Sequence, residues 1–445
     1  MFGEVGRQRY TFARQMRRSV DIKFSEKNPQ IPILRAGWQP RSVNPMKIIY
    51  IHQHFSTLAE GGSTRSYYLA KALVEAGMPV ELITRHNQPT YEVKTVEGIR
   101  VHYLPVHYDN AQGFNGRVWS FLKFVILAYR TARRIPDVHL CYAVSTPLTT
   151  GLIALGLRRF GRIPYCFEVG DLWPLAPVQM GVIRNPLLKR LLFALEKKIY
   201  REAMGIVALS PDIRDGIAQV VPGKRIHLIP NVADCDFFQM EEKKPALEET
   251  FGVTGKLVVT YFGTLGRANR LEYLLAAARS CQAASVDVAF LIVGKGAELP
   301  KLQRLAAAYA LQNLRFLPHA DKYALRDVLN VTDAVYISFA SFPVLATGSP
   351  NKFFDALAAG KLCLVNFGGW IRELVEREQC GRYVNPEKPE TFYAQLQSFL
   401  RDPSRLAFYQ RNARTLAETR FSRRLLTQQF IEVIQQAGQQ SLVSQ

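Results

Sequence analysis

From Met46 onward the chain runs through two successive series of short apolar segments, separated by longer stretches of helical periodicity. This alternation restricts the fold to parallel α/β architecture. The first series predicts strands at 47–52, 80–84, 138–142, 165–168 and 206–209, with helices at 64–76, 117–133 and 186–201 between them. The second predicts strands at 257–262, 289–293, 334–338 and 362–365. A chain of 445 residues is long enough to bury two ordinary cores. The expected organisation is a basic extension or misassigned start at 1–45, a first Rossmann-like domain at 46–235, a second at 236–415, and a C-terminal helix and tail at 416–445 that returns to brace the first domain. The hinge falls near 230–245, where Ile229-Pro230-Asn231 is followed by the charged run Glu241-Glu242-Lys243-Lys244.

Composition narrows the class. With 48% hydrophobic and 21% charged residues, the chain reads as globular. The six cysteines, at 141, 166, 235, 281, 363 and 380, have neither metal-ligand spacing nor the density of a disulfide scaffold, so a reducing compartment is expected. The net charge of +20 favours anionic partners: nucleic acid, anionic lipid or phosphorylated small molecules. Residues 1–45 hold nine Lys or Arg against three Asp or Glu, so +6 of the excess is local. That segment lacks the continuous apolar core of a secretory signal. Met46 and the buried-strand pattern after it allow a natural start at Met46; a basic arm that touches membrane is the other reading.

Two amphipathic segments combine an apolar face with a basic edge. One runs from Arg117 to Arg130 through Trp119, Phe121, Lys123 and Phe124; the other runs from Leu187 to Lys198 through Lys189, Arg190 and Phe193. The central run of the first is too short and too interrupted to span a bilayer. The two segments cover the first sheet, lie in a membrane interface, or do both on different sides.

Glycines stand where phosphate chemistry wants them. Glu60-Gly61-Gly62-Ser63 opens the helix from Thr64, where backbone N–H groups and the helix dipole favour an anion. The loop lacks the spacing of a dinucleotide fingerprint, and a plain structural turn is the competing reading. In the second series Phe262-Gly263-Thr264-Leu265-Gly266-Arg267-Ala268-Asn269-Arg270 joins two glycines to two guanidinium groups suited to phosphate oxygens. Val293-Gly294-Lys295-Gly296 adds a second cation-bearing loop. The most specific run is Thr347-Gly348-Ser349-Pro350-Asn351-Lys352-Phe353-Phe354-Asp355. There Gly348 and Ser349 are expected to present N–H donors to a diphosphate, Asn351 to act near a helix cap, Lys352 to supply compensating charge and Asp355 to accept ligand hydroxyl protons. A capped helix with solvated Asp and Lys is the structural alternative.

Taken in order, these motifs and Glu168-Val169-Gly170-Asp171-Leu172-Trp173-Pro174 resemble the glycogen-synthase-like retaining glycosyltransferases, group 1 or family 4. They are most similar to the bacterial polysaccharide branch that includes fucosaminyltransferases. The resemblance runs from Met46 to about residue 415. It implies a GT-B fold, two Rossmann-like domains facing each other across a cleft, with acceptor on the first and nucleotide sugar on the second. It also implies that Asp355 binds nucleotide ribose hydroxyls as the second acid of the family's paired-acid motif; Thr347 stands where the first acid normally occurs. Arg267 and Arg270 lie in the loop that resembles the diphosphate loop, and Lys295 is an added phosphate candidate.

The expected reaction is transfer of a sugar, N-acetylated and UDP-linked, to a polyprenyl-diphosphate-linked saccharide at the inner face of the cytoplasmic membrane, with retention implied by the resemblance. Arg267, Lys295 and Lys352 would stabilise the departing diphosphate without an obligatory metal. Asp171 is the expected acceptor-side carboxylate, and the catalytic set is Asp171, Arg267 and Lys352. Gly61, Gly62, Gly263, Arg267, Arg270, Lys295, Gly348, Ser349, Asn351, Lys352 and Asp355 form the expected donor site. For His52 and His54 a structural role weighs at least as much as catalysis. No cofactor, metal or nucleic-acid partner is expected. The alternatives are a GT-B-type nucleotide-sugar epimerase, and a non-enzymatic protein that binds anionic membrane or nucleic acid.

Overall fold

Two sheets, parallel but for one edge strand, order the chain, and the most apolar runs lie at their centres. In the computed structural model, which describes residues 45–109 and 112–443, the first sheet has eight strands. They are β1 (Ile48–Ile51), β2 (Val80–His86), β3 (Glu92–Val96), β4 (Ile99–Pro105), β5 (Leu140–Ser145), β6 (Tyr165–Val169), β7 (Ile206–Ala208) and β8 (Ile226–Leu228), in the order β3-β4-β2-β1-β5-β6-β7-β8. The second has β9 (Leu257–Phe262), β10 (Val288–Val293), β11 (Leu314–Leu317), β12 (Ala334–Ile337), β13 (Leu362–Val365) and β14 (Gly381–Tyr383), in the order β11-β10-β9-β12-β13-β14. That is the doubly wound Rossmann order, with its crevice between β9 and β12. In the first sheet Ile48 pairs with both Val80 and Leu140, so the corresponding crevice opens beside β1.

Five strands were not foreseen from the sequence: β3, β4, β8, β11 and β14. β3 is an edge strand reading Glu-Val-Lys-Thr-Val, and its charges keep an unpaired edge from recruiting another chain. It is antiparallel to β4 through Glu97 and Gly98, which both adopt left-handed φ. This is the geometry of a two-residue hairpin turn, normally signalled by Asn-Gly or Asp-Gly, and Glu-Gly hides it.

Three apolar layers hold the body together. One covers the face of the first sheet under the helices Phe114–Ala132, Thr150–Gly161 and Pro186–Glu202. Another lies under Glu272–Ala283 and Phe392–Arg401 on the second sheet. The third is continuous from Ile48 and Tyr50 through Ile229 and Phe238 to Phe353 and Phe354, and so joins the inner sides of both sheets.

The connection between the sheets is fixed from within. Arg65 forms a buried pair with Glu168 at 2.9 Å, and its guanidinium also donates to the carbonyls of Ile229 and Pro230. The chain crosses back once more near its end. The Ala233 N–H donates to the Phe421 carbonyl at 2.7 Å, and the helix Arg423–Val443 lies on the first domain with Phe430 edge-on to Tyr142. The expectations for the basic extension fall at residues 1–44, outside the described residues. No helix among the described residues is long and apolar enough to cross a membrane.

Candidate functional site

Strand-end loops of both sheets meet around a cavity of about 390 Å³. From the first domain comes the loop after β1, where Gly61 and Gly62 both take left-handed φ. Gly61 presses on the second domain: a Cβ there would stand 3.2 Å from the Asp321 Cα and 3.3 Å from the Ala320 carbonyl, tighter than most side chains tolerate. Gly62 and Ser63 line the cavity itself.

The opposite wall is built from the loops after β9, β10, β11 and β12. Gly294 lies directly on the β9 loop, where a Cβ would meet the Gly263 carbonyl at 2.0 Å. Asn269 Nδ2 donates to the Thr264 carbonyl at 2.9 Å and sets the path of that loop. Gly263, Lys295, Asn351, Lys352 and Asp355 all reach the cavity, so the structure gathers five of the expected second-domain donor residues in one place. The helix Asn351–Ala358 opens onto it, adding unpaired N–H groups and the positive end of the helix dipole. Pro350, not Asn351, occupies the cap position, and Asn351 is the first helical residue; the expected capping role is corrected.

The electrostatics separate two roles. Asp355 is buried and paired with Lys322 Nζ at 2.6 Å; burial raises its carboxyl, with Lys322 opposing that shift. The sequence singled out no partner for this carboxylate; the structure supplies Lys322. Lys352 lies over the Tyr261 ring, 3.8 Å from its centre, and burial pushes its ammonium down to about 7. Neither Lys295 nor Lys352 has an acidic partner among the described residues, so both remain available to an anionic ligand.

The turn before this helix is held through its carbonyls. Ser210 Oγ donates to Thr347 O at 2.6 Å, Trp370 Nε1 to Gly348 O at 2.9 Å, and Asn231 Nδ2 to Ser349 O. Two of these donors, Ser210 and Asn231, come from outside the second sheet. The Gly348 N–H donates to Leu345 O at 3.1 Å, so it is not presented to a diphosphate as expected. The Ser349 hydroxyl is buried and has no hydrogen-bond partner among the described residues.

Of the expected residues, Gly61, Gly348, Ser349, Arg267, Arg270 and Asp171 do not line the cavity, and the last three carry the charged groups. The Arg267 side chain is 90% exposed, and its guanidinium lies 3.9 Å from Glu298. Arg270 stacks over Tyr273 at 4.9 Å. Asp171 follows β6 on the first domain; it is reachable from solvent yet ringed by protein, and that desolvation raises its carboxyl. Burial lowers His52 to about 4 and His54 to about 3, so both rings are neutral near neutrality.

Sequence reasoning missed Lys322, Ser210 and the donor role of Asn231. Lys322 carried one usable signal: it follows Asp321, which caps the helix Lys322–Val331 by accepting from Ala324 N at 2.8 Å.

Two family profiles match in succession, a glycosyl transferase 4-like domain over residues 60–232 and glycosyl transferases group 1 over residues 256–402. The chain is a GT-B glycosyltransferase of the GT4/GT1-like superfamily. This glycosyltransferase is similar to alpha-D-kanosaminyltransferase of Streptomyces kanamyceticus, 26% identical over 122 residues. That match spans 26% of the chain and only 32% of the curated relative. Its fold is that of sucrose-phosphate synthase from Thermosynechococcus elongatus, with TM-score 0.72 and 19% identity over 88% of this chain and 98% of that one. The same holds for Anabaena HepE in complex with UDP-glucose, with TM-score 0.65 and 18% identity over 88% and 100%. Two Rossmann-like domains across a cleft, expected from the sequence, are thus established.

Proposed function

We propose that this glycosyltransferase moves an N-acetylated sugar from a UDP-linked donor to a lipid-linked saccharide, with retention, at the inner face of the cytoplasmic membrane in surface polysaccharide synthesis. One observation carries the donor reading: a cavity in which a helix N-terminus, Lys295 and Lys352 face one space beside a buried carboxylate, Asp355. Lysines and N–H groups suit a diphosphate, and the carboxylate suits ribose hydroxyls. Anabaena HepE, of the same fold, is described with UDP-glucose, which favours a uridine donor. The name of the kanosaminyltransferase relative favours an amino sugar.

In the transfer, the bond from the anomeric carbon to the diphosphate oxygen breaks and a bond from that carbon to the acceptor oxygen forms. The acceptor proton passes to the departing phosphate, so no enzyme nucleophile is required. Lys352 and Lys295 offset the charge growing on the leaving group. Asp171, on the first domain just after β6 and with its carboxyl raised by desolvation, takes the acceptor-side role in this reading. Exposed apolar side chains on the outer helices of the first domain, Trp119 and Leu187 among them, support work beside a membrane.

The test is incubation of the full chain with UDP-, GDP- and dTDP-sugars and with the same glycan free or on polyprenyl diphosphate, products being read by mass spectrometry and linkage analysis. Transfer from a UDP-N-acetyl sugar to the lipid-linked glycan with retained configuration is expected. Preference for the free glycan overturns the acceptor reading, and rejection of UDP-sugars overturns the donor reading. An isomerised sugar formed without acceptor makes the chain an epimerase.

A further inference from the structure

We propose that a recess lined by Arg100, Arg130 and Arg134 on the outside of the first domain is a socket for the phosphate of an anionic membrane lipid, seated beside an apolar ridge on the helix Phe114–Ala132. The proposal rests on the membrane reading above and assigns the residues that would carry it.

The helix has three distinct sides. Phe124, Ala128 and Ala132 are buried against the sheet. At about 100° per residue, Trp119, Leu122 and Ile126 fall on the opposite side, and all three are exposed, Trp119 to 67%. Arg130 continues that line by one turn. Between ridge and sheet edge, Arg130 and, just past the helix end, Arg134 turn toward β4 and enclose a recess of about 450 Å³ with Arg100, Tyr91, His102 and Glu81.

The recess is built for an anion. Its floor is a chain of hydrogen bonds, Tyr91 Oη to His102 Nδ1 at 2.6 Å and His102 Nε2 to Glu81 Oε2 at 2.7 Å. Glu81 is the one carboxylate in the lining, and it is already engaged by His102 and by Arg100 at 3.6 Å. Arg130 and Arg134 have no acidic partner among the described residues. Three guanidinium groups against one committed carboxylate leave a net positive recess, and the planar fork of Arg matches phosphate oxygens.

The surroundings favour a bilayer over a protein. The neighbouring helix Thr150–Gly161 exposes Phe160 to 69%, and Pro186–Glu202 exposes Leu187 to 77%. The helices Phe114–Ala132 and Thr150–Gly161 contain no Asp or Glu, while in Pro186–Glu202 Glu196 is buried and Glu202 lies 3.9 Å from Arg158. Large exposed apolar residues among basic ones, with acids withdrawn, make an interfacial pattern. A protein interface would deplete lysine, and Lys123, Lys189, Lys197 and Lys198 stand on these helices.

The experiment is co-sedimentation of the full chain with phosphatidylcholine vesicles, with and without phosphatidylglycerol, beside UDP binding and a melting curve. Binding to the anionic vesicles is expected. Arg130→Ala with Arg134→Ala should weaken it by about tenfold or more, each basic residue near the surface being worth about fivefold. UDP affinity and melting temperature should stay unchanged. Arg130→Lys with Arg134→Lys should recover only part of the loss, because charge returns without the fork. Trp119→Ser should weaken binding to both vesicle types. Full vesicle binding by the Arg→Ala variant overturns the socket and leaves the membrane reading intact; failure of the unaltered chain to bind overturns both. Protection by inorganic phosphate without vesicle binding, or preference for RNA over vesicles, also overturns the proposal.

Discussion

Lys322 and Asp355, from two different helices of the second domain, form a nearly buried ion pair whose charged atoms are 2.6 Å apart at the edge of the donor cavity. Such a pair is costly to create and more costly to halve, since the surviving charge has neither water nor partner. Its value here lies in placement. Lys322 holds the carboxylate in one position for ligand hydroxyl groups, at a site where burial favours the neutral acid and Lys322 opposes it.

Lys322→Met should therefore destabilise the protein by about 3–5 kcal/mol wherever Asp355 stays ionised. Burial already raises the Asp355 carboxyl above its ordinary value, and loss of Lys322 raises it further. A raised folded value means that stability is lost as pH climbs through it, so the deficit should be larger near about pH 8 than near about pH 5. Thermal melts of the variant at both pH values, with equal deficits, would remove the coupling.

Lys352, lowered to about 7, is half protonated near neutrality in the free protein. A diphosphate beside it favours the ammonium, so ligand binding takes up a proton once the pH exceeds that value. UDP affinity should fall as pH rises above about 7, by up to about tenfold per unit, and Lys352→Met should bind weakly with a flatter profile. Without ligand the sign reverses: the unfolded chain keeps this proton up to the ordinary lysine range, so folding stability gains as pH rises through that window. Calorimetry of UDP binding in buffers of different ionisation enthalpy checks the proton uptake.

Asn231→Ala removes the donor that holds the Ser349 carbonyl from outside the second sheet. A buried carbonyl left unpaired costs about 1–3 kcal/mol, and the turn ahead of the helix Asn351–Ala358 should loosen. Turnover should fall about tenfold, since small misplacements at a reacting centre are costly, while UDP affinity changes little. A steady-state kcat and KM pair with unchanged kcat would rule this out.

Arg267→Ala should leave the melting temperature unchanged, because an exposed pair at 3.9 Å contributes little to stability. Turnover should nevertheless drop if the loop after β9 folds over the donor diphosphate. Equal turnover in variant and parent would exclude Arg267 from the reaction.

What the sequence disclosed follows from how each feature is encoded. β1, β9 and β10 are buried over their full length, and unbroken apolar runs announced them. β11 and β14 are short, with Arg315 or Arg382 inside, so periodicity passed over them. The glycine loops were legible because positive φ at Gly61, Gly62 and Gly263, with close backbone approach at Gly61, leaves few other residues possible. Lys322 was not, since it follows an unrecognised strand and meets Asp355 only through tertiary packing. The same holds for Ser210 and Thr347, 137 positions apart. Arg267 shows the converse: its loop composition suggested phosphate, but in the fold the guanidinium stands in solvent.

The helix Arg423–Val443 completes a domain whose last strand ends at Leu228. On the ribosome, therefore, the first domain must wait for the whole second domain to be synthesised before Phe430 can close over Tyr142. At about 5–20 residues per second the delay is roughly 10–40 s, during which the inner face of the first sheet lacks its final cover. The domain made first is finished last, and the donor cavity, which needs loops from both sheets, is among the last parts of the molecule to form.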